Sequence, residues 1–358
     1  MIIVSKTFSR EKFQAIFQVQ EPEDGMRLDQ FVMEYFSKWS RQMIKKKIDV
    51  KDIFIKDRPG KNKPSTKVHT ADIVHVETSY QEESPEKWNG EDLPVDSELP
   101  MVFSDDGLFV VSKPAFMAVH PTGRHIFHVV TVILEDQYNE RPLHSVHRLD
   151  RETSGLLLVA RNHKSANELT TQFEKGQVKK VYFFIGVKQK ELPMNELFVC
   201  ERRLGTDEEG LKRVYIKNYD KDSSEGKSAE TSFLLLDQDD KYVIGLAFPQ
   251  TGRQHQIRVH AQYEGFPLIG DKLYLGSYEM FQSFKDHYAK PEDFELMQMP
   301  RHALHATGLK LKYHQKPIEL IAPLAPDLKE FLEQKTYMEV SNLEDRISEE
   351  IKKYFANY

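Results

Sequence analysis

Apolar residues recur along this chain with two different periods, and the switch between them divides it into regions. In MRLDQFVMEYF, Phe31, Val32, Tyr35 and Phe36 keep a helical spacing. SRQMIKKKI follows, with Met43, Ile44 and Ile48 on one face and Ser40 placed as the N-cap. Three pieces of strand character come next: IFIK, STKVHT and DIVHVE. Two helices and a few strands, with lysines along the second helix, make a compact module with one basic edge. Residues 80–98 then carry Glu, Asp, Pro, Ser and Gly with few apolar positions, the composition of an exposed acidic linker. Beyond it, strand patterns dominate. MVFSDDGLFVVSKPAFMAVHP reads as strand, turn and strand with Pro114 as a stop; LLLVA and VYFFIGV read as strands; AETSFLLLDQ and YVIGLAFPQTGR continue the series, and SANELTTQFEKG is helical. Connections between neighbouring strands are mostly too short for parallel crossovers. The pattern therefore predicts an α+β fold, a mixed, largely antiparallel sheet with peripheral helices and a smaller α+β module before it. DLKEFLEQKTY and SNLEDRISEEIKKYF read as charged helices, a solvated flank or a partner surface. The expected division is an N-terminal extension (1–24), the small module (25–79), the acidic linker (80–98), the large domain (99–328) and a helical tail (329–358).

Composition narrows the class. A chain of 358 residues is long enough for two or more cores, and 39% hydrophobic with 30% charged residues is ordinary for a water-soluble protein. No apolar run approaches the length of a membrane span. The opening MIIVSKTFSREKFQ lacks the apolar core and cleavage site of a secretory signal, and Cys200, the only cysteine, can form neither an internal disulfide nor a Cys-cluster zinc site. A cytoplasmic protein is expected, and a monomer. The formal net charge of -6 argues at first against a nucleic-acid partner. The distribution reverses that reading. Acids crowd into QEESPEKWNGEDLPVDSE and the tail, while basic residues gather in SRQMIKKKIDVKD, GQVKKVY and GRQHQIRVH, leaving a local basic surface.

Candidate chemistry centres on an aspartate. The triplet RLD occurs twice, as Arg27-Leu28-Asp29 and as Arg148-Leu149-Asp150. Asp29 opens a helical pattern, where the helix dipole favours an anion, so its role reads as structural. Asp150 is followed by Thr153, Ser154 and Gly155, which end a loop, and then by the apolar LLLVA, so its carboxylate stands at the mouth of a buried strand. Beside Arg148 and Arg151 it can be held ionised for work as nucleophile or general base, or it can be one half of a salt bridge. Histidine pairs such as His120 with His125 and His128, or His144 with His147, have spacings that could ligate zinc, but no HExxH and no paired cysteines accompany them, so no metal is expected. Ser154 in TSG lacks a GxSxG elbow. Phe183 and Phe184 are expected in the core.

The segment HRLDRETSGLLLVA resembles the signature HRLDxxTSGLLLxA of the RluA-type pseudouridine synthases. The likeness runs in order through LFVVSKPAFMAVHP, KKVYFFIGV, GKSAET, PQTGRQHQIRVHAQYEGFPLIGDKLYLG, RHALHATGLKL and ELIAPLAPDL, covering nearly everything from Met101 to Leu328. It implies the pseudouridine synthase fold and an isomerase that detaches a uracil within RNA, turns it and rejoins it through carbon, with neither metal nor organic cofactor. By the same resemblance Asp150 is the essential carboxylate and Arg258 its basic partner. Tyr182 stacks on the uracil, its hydroxyl assisting proton removal, and Arg148 takes the place of the flipped base; for Arg148 the alternative is a pairing with Asp150. Arg253, beside Gly252, is expected on phosphate, and His147 on RNA; His255 and Gln256 carry weaker claims, and Gly270 and Asp271 shape the site wall. Met26 to Glu77 resembles an S4 RNA-binding domain, with RLD, a helix opening in SR and a closing DxVxVE strand, which assigns Arg41 and Lys45 to RNA. The glycine-bearing turn usual in that domain is replaced by KKIDVKDIFIKDRPGKNK. The expected partner is ribosomal RNA, with transfer RNA as the alternative. A non-catalytic RNA binder and a metal-dependent hydrolase are the competing classes.

Overall fold

A computed structural model describes residues 2–8, 12–36, 39–58, 60, 62–79, 87–93, 98–121, 129–140, 142–206, 214–336 and 340–356. The chain divides into two compact units, Met1–Glu86 with Ala118–Leu143, and Lys87–Met117 with His144–Tyr358.

In the first unit, strands β1 (Ile2–Phe8) and β2 (Lys12–Gln18), helices α1 (Leu28–Tyr35) and α2 (Arg41–Asp49), and strands β3 (Ile53–Ile55) and β4 (Ile73–Ser79) follow one another. The strands pair antiparallel in the order β1-β2-β4-β3. The expected extension at 1–24 is therefore no appendage. Phe13, Ala15 and Phe17 alternate into a core with Leu28, Phe31, Val32, Ile44 and Ile48, so β2 is a central strand of this sheet. Ser40 caps α2 as expected, its hydroxyl accepting from the Met43 N–H at 3.1 Å. STKVHT forms no strand. Its backbone goes instead to the start of α1, where the Leu28 N–H donates to Thr66 and the Asp29 N–H to Pro64.

In the second unit, strands β5 (Lys87–Trp88) and β6 (Glu91–Asp92) form a small hairpin. Part of the expected linker is thus docked, because Trp88 stacks on Phe284 and meets Phe294 edge-on. Then come β7 (Met101–Ser104) and β8 (Leu108–Lys113) and, within the first unit, helix α3 (Val130–Tyr138). The second unit resumes with β9 (His144–Ser145), β10 (Ser154–Ala160), α4 (His163–Glu174), β11 (Lys179–Val187), β12 (Leu197–Thr206), β13 (Ile216–Tyr219), β14 (Lys227–Gln238), β15 (Tyr242–Pro249) and α5 (Gln256–Tyr263). It closes with α6 (Tyr278–Lys285), α7 (Pro291–Met297), β16 (Leu304–Tyr313), β17 (Lys316–Ile321), α8 (Pro326–Lys335) and α9 (Val340–Ala356). Eleven strands make one sheet, with the path β13-β12-β14-β15-β11-β16-β10-β8-β7, β17 beside β16 and β9 beside β10. Only β10 and β16 run parallel among its strand pairs, so the expected mixed, mostly antiparallel α+β architecture is what forms.

Strand alternation sorts β11 between two cores. Val181, Phe183 and Ile185 point to one face, where Leu328, Phe331, Leu343, Ile347, Ile351 and Phe355 of α8 and α9 cover them. The tail expected to be a solvated flank is thus part of the main core, because its charges sit on one side of α9 and its apolar residues recur three or four positions apart on the other. Tyr182 and Phe184 point to the opposite face, toward Ile257 and Ala261 of α5. That alternation puts Tyr182 on the side of the sheet that carries Arg258.

Candidate active site

Asp150 lies in the loop that leads into the fully buried β10, four residues before the strand begins, and side chains from several elements hold that loop. Lys113, wholly buried, donates to the Pro114, Met117 and Arg151 carbonyls at 2.9, 2.9 and 3.2 Å. Burial, with Arg301 and Arg151 nearby, pushes its ammonium well below the ordinary lysine value. Thr153 and Ser154 hydroxyls meet His302 Nε2 at 2.8 Å and His305 Nδ1 at 2.9 Å. Arg301 reaches the Glu152 carbonyl at 3.4 Å while its guanidinium is held by Asp327 at 2.6 and 2.9 Å. Gly155 sits at φ +106°, where an added Cβ would run into the backbone of Ala306 on β16, so only glycine lets β10 pair there directly after the loop.

The second half of the site comes from α5 and the turn after it. Arg258 is buried, and its Nη1 donates to Asp150 Oδ2 at 3.2 Å. Its Nε and Nη2 form a two-point bridge to Asp271, at 2.6 and 2.8 Å, and the Tyr274 ring lies under the guanidinium with its centroid 5.0 Å away. Asp271 is itself fixed by the Leu273 and Tyr274 N–H groups, both at 3.1 Å. The preceding Gly270 has φ +74°, and a side chain there would strike the Arg301 carbonyl. Gln256 locks the TGR turn, accepting from the Thr251 hydroxyl and the Arg253 N–H while donating to Glu230 and Thr231.

These contacts set the charges. Burial alone would raise the Asp150 carboxyl, but the charges of His255, Arg258 and His302 and the Arg258 hydrogen bond outweigh it and hold the group at about 2. His255 itself, desolvated and facing Arg258, falls to about 4, so at neutral pH Arg258 carries this task. Burial and the Asp150 charge raise the Tyr182 phenol above its ordinary value, which keeps its hydroxyl protonated. Asp150 is thus an ionised carboxylate, only partly screened from solvent, with a neutral phenol in its field.

The outer residues fall into two groups. Arg148 is exposed, with no hydrogen bond or ion pair to the described residues, and so does not pair with Asp150. Arg253, Arg41 and Lys45 are exposed too; Arg253 donates to the Ser228 carbonyl at 2.9 Å and Arg41 pairs with Asp29 at 3.2 Å. His147, expected on RNA, is turned to the protein: its ring stacks on Phe173, its Nε2 accepts from the Leu158 N–H at 3.2 Å, and burial lowers its pKa to about 3. Of the histidines considered for zinc, His125 and His128 lie outside the described residues. Among the described residues no group of three or more His, Cys, Asp or Glu could hold a metal ion, and no helix is long and apolar enough to cross a membrane.

A protein-family comparison matches residues 107–263, the stretch holding Asp150, Tyr182 and Arg258, to the RNA pseudouridylate synthase family. A ribosomal large subunit pseudouridine synthase D of Vibrio cholerae is 30% identical, the alignment covering 87% of this chain and 92% of that protein. This chain belongs to the RluA-type pseudouridine synthases. A mitochondrial tRNA pseudouridine(32) synthase of Saccharomyces cerevisiae is likewise 30% identical, over 75% of this chain and 52% of its own length. The solved structure of human RNA Pseudouridylate Synthase Domain Containing 4 shares the fold, with a TM-score of 0.52 at 23% identity over 66% of this chain and 92% of that one. As a pseudouridine synthase the chain is an isomerase acting on RNA. Asp271, Tyr274, Lys113 and Arg301 carry more of the site than the sequence suggested. The available signal was a charged residue inside an apolar run, as in LIGDKLY and VVSKPAF.

Proposed function

We propose that Asp150 is the carboxylate that opens the glycosidic bond of a flipped uridine, with Arg258 holding it ionised and Tyr182 stacked on the uracil. The net reaction breaks the N1–C1′ bond, forms a C5–C1′ bond, removes a proton from C5 and returns one to N1, so no external reagent is consumed. The observation that carries this reading is the Asp150–Arg258–Asp271 chain, 3.2 Å and then 2.6 Å long at its two links, which keeps one carboxylate charged at any working pH at the rim of a buried strand. Raised first by burial and then by the Asp150 charge, the resting Tyr182 phenol is protonated and better suited to stacking than to service as a base. The target base leaves its stack at a cost of about a few kcal/mol, and Arg148, exposed and unpaired, fills the gap with its planar guanidinium.

The substrate is large-subunit ribosomal RNA in the cytoplasm, as the Vibrio relative's name supports, with the N-terminal unit serving as an S4-like RNA-binding module that presents Arg41 and Lys45 to phosphate. The yeast relative's name favours transfer RNA as the second reading. Mapping pseudouridines in total RNA from cells with the gene, without it, and with Asp150→Asn decides among these. Sites lost from ribosomal RNA in both altered strains support the reading, losses confined to transfer RNA move the target, and full modification by Asp150→Asn removes the mechanism.

A further inference from the structure

We infer that His255 is a positioning residue that distinguishes the two oxygens of Asp150, holding Oδ2 through an Nε2 hydrogen and leaving Oδ1 as the reacting oxygen. This deepens the reading of Asp150 given above and rests on it. Three observations converge. His255 stands at φ +54°, in the left-handed region, immediately before the first residue of α5. Its Nδ1 lies 2.9 Å from the hydroxyl of Tyr274, a buried phenol that already accepts the Ile216 N–H at 3.0 Å. The phenol hydrogen then has His255 Nδ1 as its acceptor among the described residues, which leaves the imidazole hydrogen on Nε2.

That Nε2 faces Asp150 Oδ2 at 3.8 Å, the same oxygen that Arg258 Nη1 engages at 3.2 Å. Oδ1 has no hydrogen-bond partner among the described residues. A small swing of the acid on substrate binding closes the 3.8 Å gap to a hydrogen bond, and two donors on one oxygen then fix the rotation of the carboxylate. A neutral imidazole does this without repelling Arg258, which a protonated ring would.

The test separates donor from backbone strain. In the full-length enzyme, Gln at position 255 extends an amide donor to about the place of Nε2, whereas Asn reaches only the place of Nδ1 yet suits a left-handed backbone better. We expect His255→Gln to keep single-turnover pseudouridine formation within about tenfold of wild type and His255→Asn to lose about a hundredfold, with RNA affinity unchanged in both. In parallel, ¹⁵N NMR of histidine-labelled wild type, with the signal assigned by its loss in His255→Gln, should show the Nε2–H tautomer, and Tyr274→Phe should shift it toward a mixture. An Asn variant as fast as the Gln variant, or an Nδ1–H tautomer in the wild type, overturns the inference. Measured beside them, an inactive Asp150→Asn with a fully active His255→Asn sinks only the role of His255, while an active Asp150→Asn sinks the reading of the whole site.

Discussion

Two aspartates in this chain follow the same Arg-Leu pair. Asp29 opens helix α1, is almost wholly buried, and has both oxygens engaged: its own triplet's Arg27 grips it at 2.9 and 3.0 Å, Arg41 adds 3.2 Å, and the Gln30 N–H donates at 3.1 Å. Asp150 keeps 29% of its side chain exposed, its triplet's exposed Arg148 does not pair with it, and the arginine that serves it comes from 108 residues further along. A carboxylate saturated by neighbours is structural; one held through a single oxygen by a remote cation retains a free face for chemistry. The adjacent arginine decides nothing by itself. The helix geometry after Asp29 folds Arg27 back onto it, while the loop after Asp150, pinned by Lys113, His302, His305 and Arg301, leaves Arg148 outside.

The comparison can be broken most severely at the acids themselves. Asp150→Asn should lower single-turnover pseudouridine formation by about ten-thousandfold, with the denaturation midpoint lowered far too little to account for it. Asp29→Asn should do the reverse, leaving turnover on a short RNA intact and destabilising the N-terminal unit by about 2 kcal/mol in urea titration. Next in size, Asp271→Asn removes the two-point anchor of Arg258 and should slow turnover about a hundredfold, with RNA affinity kept, because Nη1 is then free to drift from Asp150. If Asp271→Asn turns over normally, the remote cation needs no second acid and the contrast with Asp29 weakens. If Arg148 serves base flipping as proposed, Arg148→Ala should cost about tenfold or more on folded RNA and much less on an unstructured oligonucleotide, whereas Arg27→Ala should alter neither rate.

Acid sharpens the same contrast between regions. His147, His305, His255 and His260 of the second unit are held neutral with pKa values of about 3, 3, 4 and 4, below the ordinary 6.5, chiefly by burial. Below pH 6.5 the unfolded chain takes up protons that the folded one refuses, so stability is full above that value and falls progressively down to about pH 3. Asp150, about 2 when folded, adds its own loss only below about pH 4. Burial lowers His75 of the first unit as well, so urea midpoints followed separately by a probe in each unit should both drop as pH falls from 7 to 5, the second unit's by more. The smallest effect is at the basic helix, where Lys45→Ala should reduce the slope of log K against log salt by about 1 and leave turnover at saturating RNA unchanged.

Neighbouring residues alone specify the periodic elements: the helix and strand periods, the Ser40 cap and the apolar run of β10. The long HRLDRETSGLLLVA match, rather than the three letters RLD, singles out Asp150 as the candidate acid. What only the tertiary structure decided are the partners. Nothing local announces that Ile2–Phe8 and Lys12–Gln18 build an edge and an inner strand of the first sheet, that the charged tail completes the main core, or that His147 turns inward onto Phe173. In the sequence Asp271 shows only as a wall residue, because its two-point grip on Arg258 exists only once α5 and the following turn fold together. Hydrogen bonds and ion pairs form between groups a few ångströms apart, and for Asp150, Arg258 and His302 that proximity arises from strand order in an eleven-stranded sheet, a quantity no short window of sequence contains.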